Sequence, residues 1–131
     1  MVEQRGVHRN DVVLLADDPE DLAGRRLLLD CGMIQGGAAP DARNRAAFPF
    51  DAAQVDAVVL SHAHIDHCGR LPLLRKRGFR GPIYATPACR DLARILLADS
   101  AFMAEREAER YRRKQAEHGN RHARGFPDPL F

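Results

Sequence analysis

The chain has no tryptophan, only three cysteines and no long apolar run among its 131 residues. An odd number of cysteines argues against a disulfide framework and predicts a reduced, cytoplasmic protein. No apolar run approaches the roughly 20 residues needed to cross a bilayer, so no membrane span is predicted. The first residues do not read as a secretory signal. The composition, 45% hydrophobic and 29% charged, is typical of one globular domain.

The charges are unevenly distributed along the chain. Residues 1–60 carry six basic and ten acidic side chains, a net of −4, whereas residues 61–131 carry fourteen and eight, a net of +6. A basic half can attract an anionic partner such as a nucleic acid. A solvated surface rich in arginine explains the same numbers, so the charge alone leaves both interpretations open.

Short apolar runs between turn residues predict strands that alternate with helices, an α/β architecture. The predicted strands are 12–15, 26–29, 55–60 and 82–85, and the first two are expected to pair as a hairpin. Residues 1–11 are expected to be a frayed start, 41–54 irregular, and 118–131 an exposed tail. The whole chain, 1–131, is taken as one domain.

Two helices are predicted after residue 70. A short one runs from Leu71 to Arg77 and ends at Gly78. A long one begins at Pro87, with Thr86 as its N-cap, and runs to about residue 117. The long helix carries an apolar stripe at helical spacing. The stripe consists of Leu92, Ile95, Leu96 and Met103.

The most informative segment follows the predicted strand 55–60, where residues 61–67 read SHAHIDH. In an extended chain, positions two apart face the same way, so His62 and His64 can bind one ion together. Asp66 and His67 lie one turn further along and can face a second ion. Imidazole and carboxylate groups are suitable ligands for zinc and similar divalent metals. We therefore interpret this cluster as metal-binding.

The same residues carry a resemblance to a known family. Residues 62–67 match the H-x-H-x-D-H signature of the metallo-β-lactamase fold, and Asp30 after an apolar strand matches the preceding acidic motif of that family. The flanking sequences LLDCG at 28–32, QG at 35–36 and HCGRLPLL at 67–74 resemble the β-CASP branch, the RNA-processing nucleases. The resemblance covers roughly residues 25–131. It implies the N-terminal half of a metallo-β-lactamase αββα sandwich.

The resemblance implies a hydrolase that uses two zinc ions. His62 and His64 would bind the first ion, and Asp66 and His67 the second. Asp30 would accept a hydrogen bond and orient the metal ligands. A water between the ions would attack an RNA phosphodiester, and Asp66 is the catalytic candidate because it can alternatively orient that water. For Asp30, a turn residue at the end of a strand is the alternative.

The sequence departs from the family pattern after His67. The third histidine of the first metal and the aspartate that bridges both metals have no evident counterpart, and the β-CASP insertion is absent. His118 and His122 are interpreted as part of a solvated helix end. We therefore expect an N-terminal portion, cut before its active site is complete. Such a chain would bind zinc weakly, have little or no turnover, and associate with itself or with a missing C-terminal half.

Five basic residues and no acidic one lie between Gly69 and Gly81. They are Arg70, Arg75, Lys76, Arg77 and Arg80. In a nuclease they would bring phosphate contacts close to the metals. A solvated helix face is the alternative interpretation.

The three cysteines are candidates for packing residues. Cys31 and Cys68 each adjoin a motif, and Cys89 lies at the start of the long helix. All three are interpreted as buried small hydrophobes, with a role of the first two as soft metal ligands as the alternative.

Three functions remain in competition. The first is an RNA phosphodiesterase, exonuclease or endonuclease, or the N-terminal piece of one. The second keeps the fold but hydrolyses a thioester or a lactam. The third is a non-catalytic remnant or a partner-binding fragment, which the incomplete set of ligands favours.

Overall fold

A computed structural model describes residues 2–8, 11–16, 24–36 and 40–118, with side chains from 24 to 36 and from 42 to 116. The strands are β1 (Val2–His8), β2 (Asp11–Ala16), β3 (Arg26–Leu29), β4 (Ala57–Val59) and β5 (Ile83–Tyr84). The helices are α1 (Pro40–Arg45), α2 (Ile65–Cys68), α3 (Leu71–Lys76) and α4 (Pro87–His118), and a 3₁₀ turn spans Ala52–Gln54. None of the helices within these ranges is long and apolar enough to cross a membrane.

Within the described ranges, the strands form one mixed sheet in the order β1-β2-β3-β4-β5. β1 to β3 are antiparallel neighbours, whereas β4 runs parallel to both β3 and β5. The predicted hairpin of the second and third strands is therefore confirmed, as is the α/β class. Because β3 and β4 are parallel neighbours, the residues that follow them lie at the same edge of the sheet.

Two segments differ from their predictions. The expectation of a frayed start at residues 1–11 is wrong for Val2–His8, which form β1 because they pair with β2 along its length. The irregular segment expected at 41–54 contains α1 and the 3₁₀ turn. Asp51 caps this turn by accepting a hydrogen bond from the Ala53 amide at 2.9 Å. The tail at 119–131 lies outside the described residues.

One hydrophobic core joins the sheet to the helices that follow it. Leu28 of β3, Val58 of β4 and Leu74 of α3 are fully buried at its centre. α4 reaches this core through the small side chains of Cys89 and Ala93. The sheet and α3 therefore form a rigid base beneath the histidine segment.

The apolar stripe predicted on α4 is not its buried face. Leu92, Ile95 and Met103 are exposed, and of the four predicted members only Leu96 packs against the core. Small side chains let a helix approach the core more closely than Leu or Ile would, so α4 packs through Cys89 and Ala93 instead. The predicted start of the helix is confirmed, since the Cys89 amide donates to the Thr86 hydroxyl at 3.3 Å.

A carboxylate links the amino ends of the parallel strands β3 and β4. Asp56 accepts hydrogen bonds from the Arg26 amide at 2.8 Å and from Arg25 Nη1 at 3.2 Å. The hydrogen bond from the Arg26 amide holds the pKa of Asp56 below its usual value; burial opposes this shift, and the nearby Arg25 guanidinium adds to it. A lowered pKa stabilises the fold above the ordinary carboxyl pKa of about 3.9, and that stabilisation is lost as the pH falls through the folded-state value.

We therefore expect Asp56→Asn to flatten the acid limb of the stability profile. The melting temperature of the wild type should fall more steeply than that of the variant between about pH 5 and pH 3. Asp99→Asn, on an exposed position of α4, is the matched control and should follow the wild type. Parallel profiles for the wild type and Asp56→Asn would contradict this role of the carboxylate.

Candidate metal centre

The histidine segment lies where the two parallel strands end. Asp30 follows β3 and Ser61 lies two residues after β4, so both are at the carboxyl edge of the sheet. The Asp30 amide continues the pairing by donating to the Val59 carbonyl at 3.0 Å. Asp30 then adopts a left-handed conformation with φ of 59°, which is uncommon for a residue other than glycine. This backbone turn accompanies the inward placement of the Asp30 side chain, which is largely buried.

The Asp30 carboxylate is the centre of a hydrogen-bond network. It accepts from the Ser61 amide at 2.7 Å and lies 2.6 Å from the Ser61 hydroxyl. Nδ1 of His67 lies 2.8 Å from the same carboxylate, on Oδ2. The network therefore joins the acidic motif after β3 to the histidine segment after β4, although the two are about 30 residues apart in sequence.

The three imidazoles of the segment lie side by side. The ring of His62 is 3.8 Å from that of His67 and 4.8 Å from that of His64, measured between centroids. His64 precedes α2, and its carbonyl accepts from the amides of His67 and Cys68, so the first turn of α2 holds His67 beside His62. Nε2 of His67 lies 3.6 Å from Oδ2 of Asp66. The fold thus places the four predicted metal-ligating side chains in one neighbourhood.

The types of donor in this neighbourhood fit zinc, whereas their number and arrangement do not complete a site. Three imidazoles and a carboxylate are groups that zinc binds in proteins. Within residues 24–36 and 42–116, however, no three His, Cys, Asp or Glu side chains are arranged to hold one ion. The described side chains therefore do not by themselves form a complete metal site.

The loop after β3 packs directly on the backbone of α2. The Cys31 amide donates to the His67 carbonyl at 2.7 Å, and the Met33 amide donates to the Ile65 carbonyl at 3.0 Å. Gly32 lies between them, and a Cβ at this position would overlap the carbonyl group of Asp66. Glycine is needed here because two backbones approach closely, not because of an unusual φ.

Arg70 is one of the predicted RNA contacts, and the structure contradicts that role. Its side chain is buried, with Nε donating to the Asn44 carbonyl at 3.1 Å and Nη2 to the Ala46 carbonyl at 2.8 Å. The guanidinium also lies 4.2 Å from the ring centroid of Phe48. A group enclosed in this way is not accessible to a phosphate. The other four basic candidates, Arg75, Lys76, Arg77 and Arg80, are exposed.

Two of these exposed arginines are held in place by the backbone. Arg75 donates to the Phe79 carbonyl at 2.9 Å, and Arg80 donates to the carbonyls of both Arg75 and Phe79. They line an open cavity of about 520 Å³ together with apolar side chains that include Leu71, Ile83 and Leu97. The structure thus keeps these two guanidinium groups close together beside an apolar surface.

All three cysteines are buried, as predicted for small packing residues, and none forms a disulfide bond. Burial, reinforced by the nearby Cys89, Asp30 and Asp66, raises the pKa of the Cys68 thiol to about 11. The thiol donates to the Ala63 carbonyl at 3.3 Å. Cys68 is therefore a protonated packing residue at neutral pH in this structure. His118 and His122, interpreted above as a solvated helix end, have side chains outside the described residues.

Some residues that build this site were missed from the sequence. Asn44 of α1 is buried and holds the loop after β3 by exchanging two hydrogen bonds with the backbone of Ile34. Ser61 lies directly before the signature and contacts Asp30. No pattern in the sequence marks Asn44, whereas the position of Ser61 beside the signature was a signal that could have been used.

Fold and site together define a class of protein, and comparison with known proteins agrees. Residues 25–126 match the family model of the beta-lactamase superfamily domain, so the chain belongs to this family. The resemblance to the metallo-β-lactamase fold is thereby confirmed, and the mixed sheet with its helices is consistent with a portion of that fold.

Individual relatives narrow the comparison to proteins named for action on RNA or in transcription. The chain is 58% identical over 77 residues to ribonuclease TTHA0252 of Thermus thermophilus, covering 59% of this chain and 17% of that protein. It is 41% identical over 88 residues to transcription termination factor FttA of Methanosarcina mazei, covering 65% of this chain and 14% of the relative. The chain thus spans less than a fifth of the length of these relatives. Their names agree with the resemblance to the RNA-processing branch.

Proposed function

We propose that this chain supplies the first part of the active site of a zinc-dependent RNA phosphodiesterase. The observation that carries this proposal is the Asp30–His67 contact, 2.8 Å long, beside the clustered rings of His62 and His64. A carboxylate bound to the far nitrogen of an imidazole is the usual support of a metal-binding histidine. In this proposal His62 and His64 bind one ion, and Asp66 and His67 bind a second.

Zinc, when bound, would supply a Lewis acid and lower the pKa of a bound water towards about 7. The residues of the chain would perform the remaining tasks. Asp30 holds the ring of His67 in one orientation, and the first turn of α2 keeps Asp66 beside it. In this proposal Asp66, about one third exposed, would alternatively orient the attacking water. The ligands that complete the site would come from polypeptide outside the described residues.

RNA is the substrate that this proposal favours over a thioester or a lactam. The relative with 58% identity is named a ribonuclease, and phosphate contacts are available from exposed basic groups. These groups are Arg75, Lys76, Arg77 and Arg80. The odd number of cysteines argues against a disulfide framework, so this proposal places the protein in the cytoplasm.

A second candidate function is a non-catalytic fragment that binds a partner. The incomplete arrangement of metal ligands in the described part of the chain favours it. The exposed apolar side chains of α4 also support association with further polypeptide, either the rest of a family domain or a second copy. These side chains are Leu92, Ile95, Phe102 and Met103.

We expect the isolated chain to bind zinc with a dissociation constant above the micromolar range, because each ion has two protein ligands where zinc uses three or four. For the same reason we expect it to cleave RNA at no more than a trace rate. Zinc titration of the metal-free protein measures the affinity. Assays with RNA, thioester and lactam substrates, run in parallel, measure the activity. Two ions per chain, bound more tightly than micromolar, would contradict the incomplete site.

A chimera separates the nuclease from the partner-binding fragment. The 77 residues matched to the Thermus ribonuclease replace their counterpart in that protein, where the other ligands would be supplied. The chimera should cleave RNA, and His64→Ala within it should abolish cleavage. Replacement of the exposed Arg77 by alanine should leave the metal content unchanged. A chimera that folds and binds zinc without cleaving RNA would rule out the nuclease and favour the fragment.

A further inference from the structure

Ser61, which has no part in the proposed function, forms two hydrogen bonds with the carboxylate of Asp30. An ionised carboxylate can only accept hydrogen bonds, and a serine hydroxyl has one proton to donate. The Ser61 Oγ lies 2.6 Å from Oδ2 of Asp30, so the hydroxyl proton is placed in this short, charge-assisted contact. The Ser61 amide occupies the other carboxylate oxygen at 2.7 Å, which holds the serine in register.

The same hydroxyl oxygen lies 2.9 Å from Nδ1 of His62. Since its proton is given to Asp30, the oxygen can only accept from His62. With the hydroxyl proton directed to the carboxylate in this way, Nδ1 of His62 carries the proton, and Nε2 keeps its lone pair. At His67, the carboxylate itself accepts from Nδ1 at 2.8 Å, which leads to the same tautomer. The buried carboxylate of Asp30 thus determines the tautomers of two imidazoles, that of His62 through Ser61 and that of His67 directly.

We propose that Ser61 is a positioning residue. Its hydroxyl donates to Asp30 and accepts from His62, and it thereby fixes His62 as the Nδ1–H tautomer. A metal ion binds a neutral imidazole through the lone pair of one ring nitrogen, and this tautomer offers the lone pair of Nε2. Nε2 of His67, with its lone pair, then faces Oδ2 of Asp66 at 3.6 Å, and two acceptors in this arrangement are stabilised by a cation between them. The link to metal binding rests on the proposed function, whereas the tautomers are properties of the chain alone.

The tautomers are measurable in the metal-free full chain. Long-range ¹H–¹⁵N correlation spectra of protein with labelled histidine distinguish Nδ1–H from Nε2–H rings, at a pH well above the ordinary imidazole pKa of about 6.5. The signals are assigned with His62→Gln and His67→Gln. We expect both rings to be Nδ1–H in the wild type. A wild-type His62 in the Nε2–H form would overturn the proposal without any further variant.

Substitutions at the serine test the relay itself. Ser61→Ala should convert His62 to the Nε2–H form and leave His67 unchanged, because His67 keeps its 2.8 Å contact with Asp30, whereas its distance to the hydroxyl oxygen is 3.5 Å. Ser61→Thr, which keeps a hydroxyl, should restore the wild-type pattern. Ser100→Ala, the same change within α4, is the matched control and should alter neither ring. An unchanged His62 in folded Ser61→Ala would show that the serine does not set the tautomer.

Zinc affinity is the second readout, measured by competition with a chromophoric chelator. Ser61→Ala should weaken zinc binding about tenfold or more, the usual effect of removing a group that supports a metal ligand. Ser61→Thr should bind zinc with nearly the affinity of the wild type. A loss of affinity with unchanged tautomers would assign Ser61 a merely structural role. If the tautomers follow the prediction while wild-type chain and chimera both fail to bind zinc, the proposed function fails and the positioning role of Ser61 stands.

Discussion

Replacement of Gly32 by alanine is expected to destabilise the chain by about 3 kcal/mol or more, at the upper end of the cost of overpacking a well-packed interior. A Cβ here would overlap the backbone carbonyl of Asp66, which cannot rotate away as a side chain can. The loop after β3 and the first turn of α2 must then separate. Chemical denaturation of the wild type and the variant measures the difference in the free energy of unfolding.

Gly24→Ala is the matched control for this prediction. Gly24 has a φ of 71° and open space around its Cα, so alanine there incurs only the conformational cost of about 1 kcal/mol. The additional destabilisation by alanine at Gly32, compared with Gly24, therefore measures the cost of separating two closely packed backbones. Because the separation moves Asp30 away from His67, Gly32→Ala should also abolish zinc binding in the chimera with the Thermus ribonuclease. Equal destabilisation at both glycines would contradict the close approach.

Replacement of Arg70 by alanine is expected to destabilise the fold by about 3 kcal/mol, because it removes two charge-assisted hydrogen bonds and leaves two backbone carbonyl groups, one of them on the buried Asn44, without these donors. The carbonyls of Asn44 and Ala46 lose these partners, and the ring of Phe48 loses its cation. The same unfolding experiment applies. Arg70→Lys should recover part of the loss, since an ammonium group retains the charge but not the fork of guanidinium donors.

Arg77→Ala distinguishes this structural role from RNA binding. Arg77 is exposed at the end of α3, so its removal should change the free energy of unfolding by no more than about 0.5 kcal/mol. It should instead weaken the binding of a single-stranded RNA at low salt, because exposed basic groups act on phosphates through their charge. Arg70→Ala with unchanged stability and weakened RNA binding would restore the first interpretation of Arg70.

The contrast between Arg70 and Arg77 shows where interpretation of the sequence fails. Both belong to one basic run, and nothing local separates them. Arg70 is buried because α1 and the segment after it, which were expected to be irregular, present backbone carbonyls to its guanidinium. Likewise, Ile95 and Ala93 both fit an apolar helix face, yet the core accepts the smaller side chain and leaves Ile95 exposed.

The sequence by itself determined the family and the candidate metal ligands. Signature residues are adjacent in the chain, so their spacing carries the chemistry without knowledge of the fold. It also determined most strands and both later helices, because apolar runs, Thr86-Pro87 and Gly78 are local signals. What only the tertiary structure decided are contacts between distant segments: Asp30 with Ser61 and His67, Gly32 against α2, and Arg70 beneath α1. The contacts of Asp30 depend on the parallel pairing of β3 with β4, which brings residues about 30 apart to one edge of the sheet.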